Sequence, residues 1–236
     1  MTPELVVHAV PPFSLSGAAE RVQRDAQALL DGPELARAQA MEPASRSRFL
    51  AGRLAQRRFA AELLGVRGSR LVAAYSCPRC GTGPGITHGR PGYLLDGGPA
   101  PLVLSLSRAA GWTLLAAVAG PPDSCRLGVD VEDPARTGFD GFPALALTHA
   151  EQQVVGHLSG GALLAGRARL WARKEAVLKM TGDGLRTAPS SLDVLQRNDV
   201  RDLLPAETGL PARLAAAVAL SWAVPQPTGR GGRASS

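Results

Sequence analysis

Aromatic side chains are scarce in this chain of 236 residues, at 4%, and lysine is scarcer still, with two lysines against 24 arginines. So few aromatics leave little for stacking nucleobases, which argues against a nucleic-acid partner despite a net charge of +6. The basic residues are scattered, with no run of four or more, and most read as a solvated surface. The positive balance favours acidic or phosphorylated partners without choosing among them. Long apolar runs are missing as well. A bilayer span needs roughly 20 apolar residues, and the best candidates, WTLLAAVAG and LAAAVALSWAV, have the length of a strand or a short helix. The opening MTPELVVHAV has no basic segment leading into an apolar core, so no secretory signal and no membrane partner are expected, and the cytoplasm is the expected compartment. Cysteine is limited to Cys77, Cys80 and Cys125, an odd, small set that argues against a disulfide framework.

What is present is an ordinary globular composition, 45% hydrophobic, in a length that suits one large domain or two small ones. Residues 5–10 read as a strand. Residues 34–64 read as helical, with Gly65 closing the helix. Residues 76–101 are rich in Gly and Pro and read as loop or irregular strands. PLVLSLS and WTLLAAVA read as two strands joined at RAAG. GPPDS (120–124) is the expected linker between a first unit, 1–120, and a second, 121–225. The second unit opens with the strand LGVDVE. A helix follows from Thr148, with Thr148 as N-cap and Glu151 three residues on. A second helix runs from about Ala162 to Gly182. SLDVLQ and AAAVALSWAV are strand-like, and the tail 226–236 (within PQPTGRGGRASS) is expected to be disordered. Each half thus holds helix followed by strand, an α+β pattern, although no repeat is visible residue by residue.

The stretch LGVDVEDP poses the chemical question. Asp130 and Glu132 are two apart in a strand, so both side chains stand on one face. Glu175 lies on the helix RLWARKEAVLKM, where Trp171, Glu175 and Lys179 follow one another at spacings of four and share an edge. Three converging carboxylates need a cation, and a hard divalent ion such as Mg²⁺ takes oxygen ligands while keeping positions open for phosphate. The plain alternative is an exposed strand face plus a Glu175–Lys179 surface pair worth about 0.3–0.5 kcal/mol. Spacing alone leaves both open. Both lysines of the chain, Lys174 and Lys179, fall in this helix, and lysine supplies a compact, titratable ammonium that arginine does not.

Other motifs are weaker. CPRC (Cys77–Cys80), with His88 and Cys125, has spacing compatible with a structural zinc, but no second C-x₂-C pair accompanies it. Free or buried thiols are the alternative. TGDGL reads as a helix C-cap at Gly182 rather than a phosphate loop. His8, His149 and His157 have no matched partners and read as surface or packing residues.

GVDVE, followed about 40 residues later by WARKEAVLK, resembles the paired motifs of the 4′-phosphopantetheinyl transferases. The length is similar to that of the larger subclass serving polyketide and non-ribosomal peptide synthetases, and the resemblance covers roughly residues 34–224. HGRP (His88–Pro91) resembles the family's G-K/R-P element. VLSLSRAAGW lies where the family has N-x-S-H-S-G: Ser107 matches, while Arg108 replaces His and Ala109 replaces Ser. Glu151 in LTHAE stands where the family has an acid near the metal, and Arg48 and Arg53 in SRFLAGR resemble its amino-terminal basic element. The resemblance implies an α+β fold of two similar lobes arranged as a pseudo-dimer in one chain, with coenzyme A between them. It implies transfer of the 4′-phosphopantetheine arm of coenzyme A to a serine of an acidic acyl or peptidyl carrier protein, releasing 3′,5′-adenosine bisphosphate, in secondary metabolism, by a monomer. Mg²⁺ would be held by Asp130, Glu132 and Glu175. Coenzyme A would be held by Arg48, Arg53, Arg90, Ser107, Arg108, Lys174 and Lys179. Glu175 or Glu151 would be the base, and Lys179 would serve the leaving phosphate. The rivals are a basic zinc-containing nucleic-acid-binding module built on CPRC and another Mg²⁺-dependent phosphotransferase.

Overall fold

The computed structural model of the chain describes residues 4–12, 18–182 and 184–222. The first half holds β1 (Leu5–Val10), α1 (Ala18–Leu29), α2 (Gly32–Gln39), α3 (Pro43–Leu64), the short strands β2 (Leu71–Ala73), β3 (Tyr75–Cys77), β4 (Gly81–Gly83), β5 (Tyr93–Leu95) and β6 (Gly98–Pro99), then β7 (Leu102–Ala109) and β8 (Trp112–Ala119). The second half holds β9 (Arg126–Glu132), α4 (Phe142–Ala146), α5 (His149–Val155), α6 (Gly160–Thr181), β10 (Val200–Asp202), α7 (Pro205–Thr208) and β11 (Ala215–Ser221).

Alternation along the strands dictates the layers. Leu114, Ala116 and Val118 of β8 share one core with Leu127, Val129 and Val131 of β9 and with Ala216 and Val218 of β11. The residues between them face outward: Leu115 and Ala117 pack with Phe59 and Ala60 of α3. Ala217 and Ala219 pack with Ala172, Ala176 and Val177 of α6. Two antiparallel sheets, ordered β1-β8-β7 and β10-β11-β9, therefore lie face to face with one long helix on each outer side. The order of elements recurs. In each half a strand precedes a helix of 22 residues closed by a left-handed glycine, Gly65 (φ 64°) or Gly182 (φ 81°), and the last strand becomes the centre of its sheet. The seam between the halves runs along β7 and β9. No backbone ladder joins these strands; instead Ser105 Oγ accepts from the Val129 N–H at 3.0 Å, and Ser107 Oγ donates to Asp130 at 2.6 Å.

Gly128, the glycine of GVDVE, is a packing device. A Cβ there would lie 1.9 Å from the Ala176 carbonyl oxygen and 2.5 Å from the Met180 nitrogen, both backbone atoms of α6. Gly128→Ala must push helix from strand and is expected to cost about 1–3 kcal/mol, as overpacking does; a urea midpoint equal to wild type would contradict this close approach.

The α+β reading is borne out, and three local readings are corrected. The helical stretch 34–64 is two helices, because Glu42 is extended and Pro43 starts α3 at its N-terminus. Helix α1 was not expected, although AAERVQRDAQAL turns Val22 and Ala26 onto Leu50 and Leu54 of α3. SLDVLQ is irregular: the Val194 N–H bonds to the Glu151 carboxylate rather than to a strand, and β10 takes the sheet edge instead. The tail 226–236 lies outside the described residues. Among the described residues no helix is long and apolar enough to cross a membrane.

Candidate active site

Strand alternation sets the acids. With Val129 and Val131 committed to the inter-sheet core, Asp130 and Glu132 turn toward α6. Asp130 is 2% exposed. Its Oδ1 accepts from Ser107 Oγ and from Lys179 Nζ, each at 2.6 Å, while its buried Oδ2 has no hydrogen-bond partner among the described residues. Burial outweighs the Lys179 charge and raises the Asp130 pKa. Glu132 is pushed up to about 7, first by burial and then by the Asp130 charge, with a smaller push from Glu175. Glu175 is raised by burial and by Asp130. The three acids thus feel one another's field. Their oxygens do not all lie within 4.8 Å of one another, and the Lys179 ammonium stands against Asp130. The donor set suits a hard divalent cation: three carboxylates, one of them with an unpartnered buried oxygen.

These shifts have a stability consequence. Glu132 titrates higher folded than unfolded, so the folded chain binds more protons between its unfolded value of 4.5 and about 7. Stability contributed by protonated Glu132 is present at acid pH and is lost as pH rises through that window. The cation-free protein is expected to melt at a lower temperature at pH 8 than at pH 6, with added Mg²⁺ narrowing the gap. A melting temperature that rises over this range, or a gap unmoved by Mg²⁺, would contradict the shared field.

Lys179 also reaches a cleft of about 750 Å³. Arg37, Arg53, Arg90, Arg108, Arg126 and Arg186 line the cleft with it, drawn from both halves, and no carboxylate of the described residues does so. Several of these cations are held in place. Arg53 lies over the Tyr75 ring at 4.0 Å and the Phe49 ring at 5.0 Å, and donates to the Thr87 carbonyl at 2.7 Å. Its Nη1 is buried without a partner, and burial lowers its pKa to about 10, which leaves it charged at neutral pH. Arg37 donates to the same carbonyl at 2.7 Å. Arg90 donates to the Met180 carbonyl at 3.0 Å, at the C-terminal end of α6, where a cation also complements the helix dipole. Gly52 admits Arg108: a Cβ there would sit 2.1 Å from the guanidinium.

Not every residue singled out from the sequence stands here. Glu151 and Lys174 are both fully buried, paired with each other at 2.5 Å. Glu151 also accepts from the N–H groups of Thr148 and Val194, and Lys174 donates to the Pro189 carbonyl. The capping-box reading of Thr148 and Glu151 is therefore met, and it uses up the carboxylate that was also a candidate base. Lys174, also expected at the cofactor, is buried and is not among the residues that line the cleft. Arg48 is exposed, bonds Ser45 Oγ at 3.3 Å and does not line the cleft. Arg37, Arg126 and Arg186 were not anticipated; nothing in their local sequence sets them apart from the other arginines. Cys77, Cys80 and His88 come together, whereas Cys125 is buried in the inter-sheet core.

The carboxylates thus stand behind Lys179, which pairs with Asp130 on one side and lines, on the other, a basic cleft that no described carboxylate lines. Residues 126–219, from β9 to β11, match the family model of the 4′-phosphopantetheinyl transferase superfamily. A relative from Fusarium mangiferae named 4′-phosphopantetheinyl transferase 1 is 31% identical over 117 residues, covering 41% of this chain and 40% of the relative. The chain thus spans well under half the length of that curated relative. The family resemblance read from GVDVE and WARKEAVLK is borne out by both matches.

Proposed function

We propose that this protein is a 4′-phosphopantetheinyl transferase that moves the arm of coenzyme A onto a serine of a carrier protein, with Mg²⁺ held by Asp130, Glu132 and Glu175. The observation that carries this reading is Lys179, which faces Asp130 on one side and the arginine-lined cleft on the other. When bound, the Mg²⁺ would neutralise a diphosphate and polarise it toward attack. Arg53, Arg90 and Arg108 bind and orient the phosphates of coenzyme A, and Arg37 supports the wall that holds them. The carrier serine is a weak nucleophile, and Glu175, whose raised pKa suits proton uptake, takes its proton. The serine oxygen bonds to the phosphorus bearing the pantetheine arm, and the bond from that phosphorus to the 3′,5′-adenosine bisphosphate oxygen breaks. Lys179 stabilises the charge on that departing phosphate. Glu151 and Lys174 take no part, and Ser107 positions Asp130. The recurring order of elements supports a pseudo-dimer of two lobes with the cleft between them. A basic rim suits an acidic carrier.

The test is to incubate the protein with coenzyme A, Mg²⁺ and an apo carrier and to weigh the carrier. A gain equal to the phosphopantetheine arm supports the reading. An unchanged carrier, with Mg²⁺-dependent breakdown of coenzyme A or another phosphate ester, favours the rival phosphotransferase.

A further inference from the structure

We propose that Cys77, Cys80 and His88 form a zinc site that fixes one wall of the basic cleft. The sequence motif CPRC forms the turn of the β3–β4 hairpin, closed by the Cys80 N–H to the Cys77 carbonyl at 3.2 Å. His88 arrives from eleven residues further along the chain, and the fold returns it deliberately. Arg90 and Ser76 exchange backbone hydrogen bonds at 2.9 and 2.8 Å. Gly89 makes this return possible: its φ is 86°, and a Cβ there would lie 2.3 Å from the Ser76 carbonyl oxygen. One ligand atom from each of the three side chains falls within 4.8 Å of the others, and Cys80 Sγ lies 3.4 Å from His88 Nε2. Tetrahedral bonds of about 2.3 Å to sulfur and about 2.0 Å to nitrogen place neighbouring ligand atoms roughly 3.5 Å apart.

Two thiolates and an imidazole select zinc over the hard cation suited to the carboxylates. Cys80 and His88 are exposed, so the fourth position opens to solvent and takes a water. The site sits at the root of the cleft wall. Thr87, next to His88, offers the carbonyl that holds Arg37 and Arg53, and Arg90 follows two residues on. Zinc at this point locks the segment from which three cleft arginines are placed. The metal site does not depend on what the cleft binds; its effect on coenzyme A rests on the transferase reading above.

The experiment measures metal in the full chain, expressed with added zinc and purified under reducing conditions without chelator. About one zinc per chain is expected, with a large loss in Cys80→Ser and in His88→Ala, and retention in His88→Cys, which restores a ligand. Cobalt substitution is expected to give a thiolate-to-metal absorption band that Cys77→Ser weakens. Stripping zinc is expected to raise the KM for coenzyme A several-fold with little change in kcat, and readdition to restore it. Reduced wild-type protein that stays free of zinc, or zinc content unchanged in both Cys80→Ser and His88→Ala, would overturn the site. Stoichiometric zinc with an unchanged KM after stripping would overturn its role in the cleft. Stoichiometric zinc in a protein that never modifies a carrier would instead overturn the transferase reading and leave the metal site standing.

Discussion

Asp130→Asn is expected to lower carrier modification by about 10²–10³-fold, in line with removal of one charged group that acts on a transition state, while the protein stays folded. Asp130 is the acid on which the others depend. It pairs with Lys179, is positioned by Ser107, and its charge helps raise both Glu132 and Glu175. Asparagine keeps the shape and keeps an acceptor for Ser107, so the melting temperature should move by only a few degrees. The pH profile separates this account from a packing defect. With the Asp130 charge gone, Glu132 and Glu175 titrate lower, and the acid limb of any residual activity shifts to lower pH. Activity within a few-fold of wild type would remove Asp130 from the chemistry.

Lys174→Ala is expected to act in the opposite way, costing about 3–5 kcal/mol of stability, the range for removing one partner of a buried ion pair. Lys174 and Glu151 are both 0% exposed, and the alanine would leave the Glu151 carboxylate buried without its counter-charge. Chemical denaturation reads the loss. Replacing both residues with apolar groups of similar volume is expected to recover most of it, because the pair's desolvation cost disappears with its attraction. The double variant should retain kcat near wild type. A folded double variant as inactive as Asp130→Asn would return Lys174 and Glu151 to the mechanism.

These two predictions mark what the sequence disclosed and what it hid. The facing of Asp130 and Glu132 followed from strand alternation, and the edge shared by Glu175 and Lys179 followed from helical spacing, because both are local geometry. The capping box at Thr148 was legible for the same reason. Its conflict with a catalytic Glu151 was not, since the ammonium that seals that carboxylate comes from a different helix. The cleft was the least visible feature. Arg37, Arg53, Arg90, Arg108 and Arg126 come from distant segments, and only tertiary packing gathers them. The seam between β7 and β9 was hidden too, because it is made by Ser105 and Ser107 rather than by a strand ladder that a hydrophobic pattern would announce. The zinc candidates fall between these cases: CPRC was a local signal, but the return of His88 to it depends on the Ser76–Arg90 bridge, and Cys125 lies apart in the inter-sheet core.

In the transferase reading, the carboxylates and the arginine-lined cleft act on one ligand through a shared cation. Titration calorimetry of coenzyme A against the protein, with Mg²⁺ and with the ion chelated, tests it most directly, since a bridging ion must couple the two affinities equally in both directions. The account predicts that Mg²⁺ tightens coenzyme A binding and that coenzyme A tightens Mg²⁺ binding by the same factor, with that coupling lost in Asp130→Asn. Coenzyme A binding of equal strength with and without Mg²⁺ would contradict it.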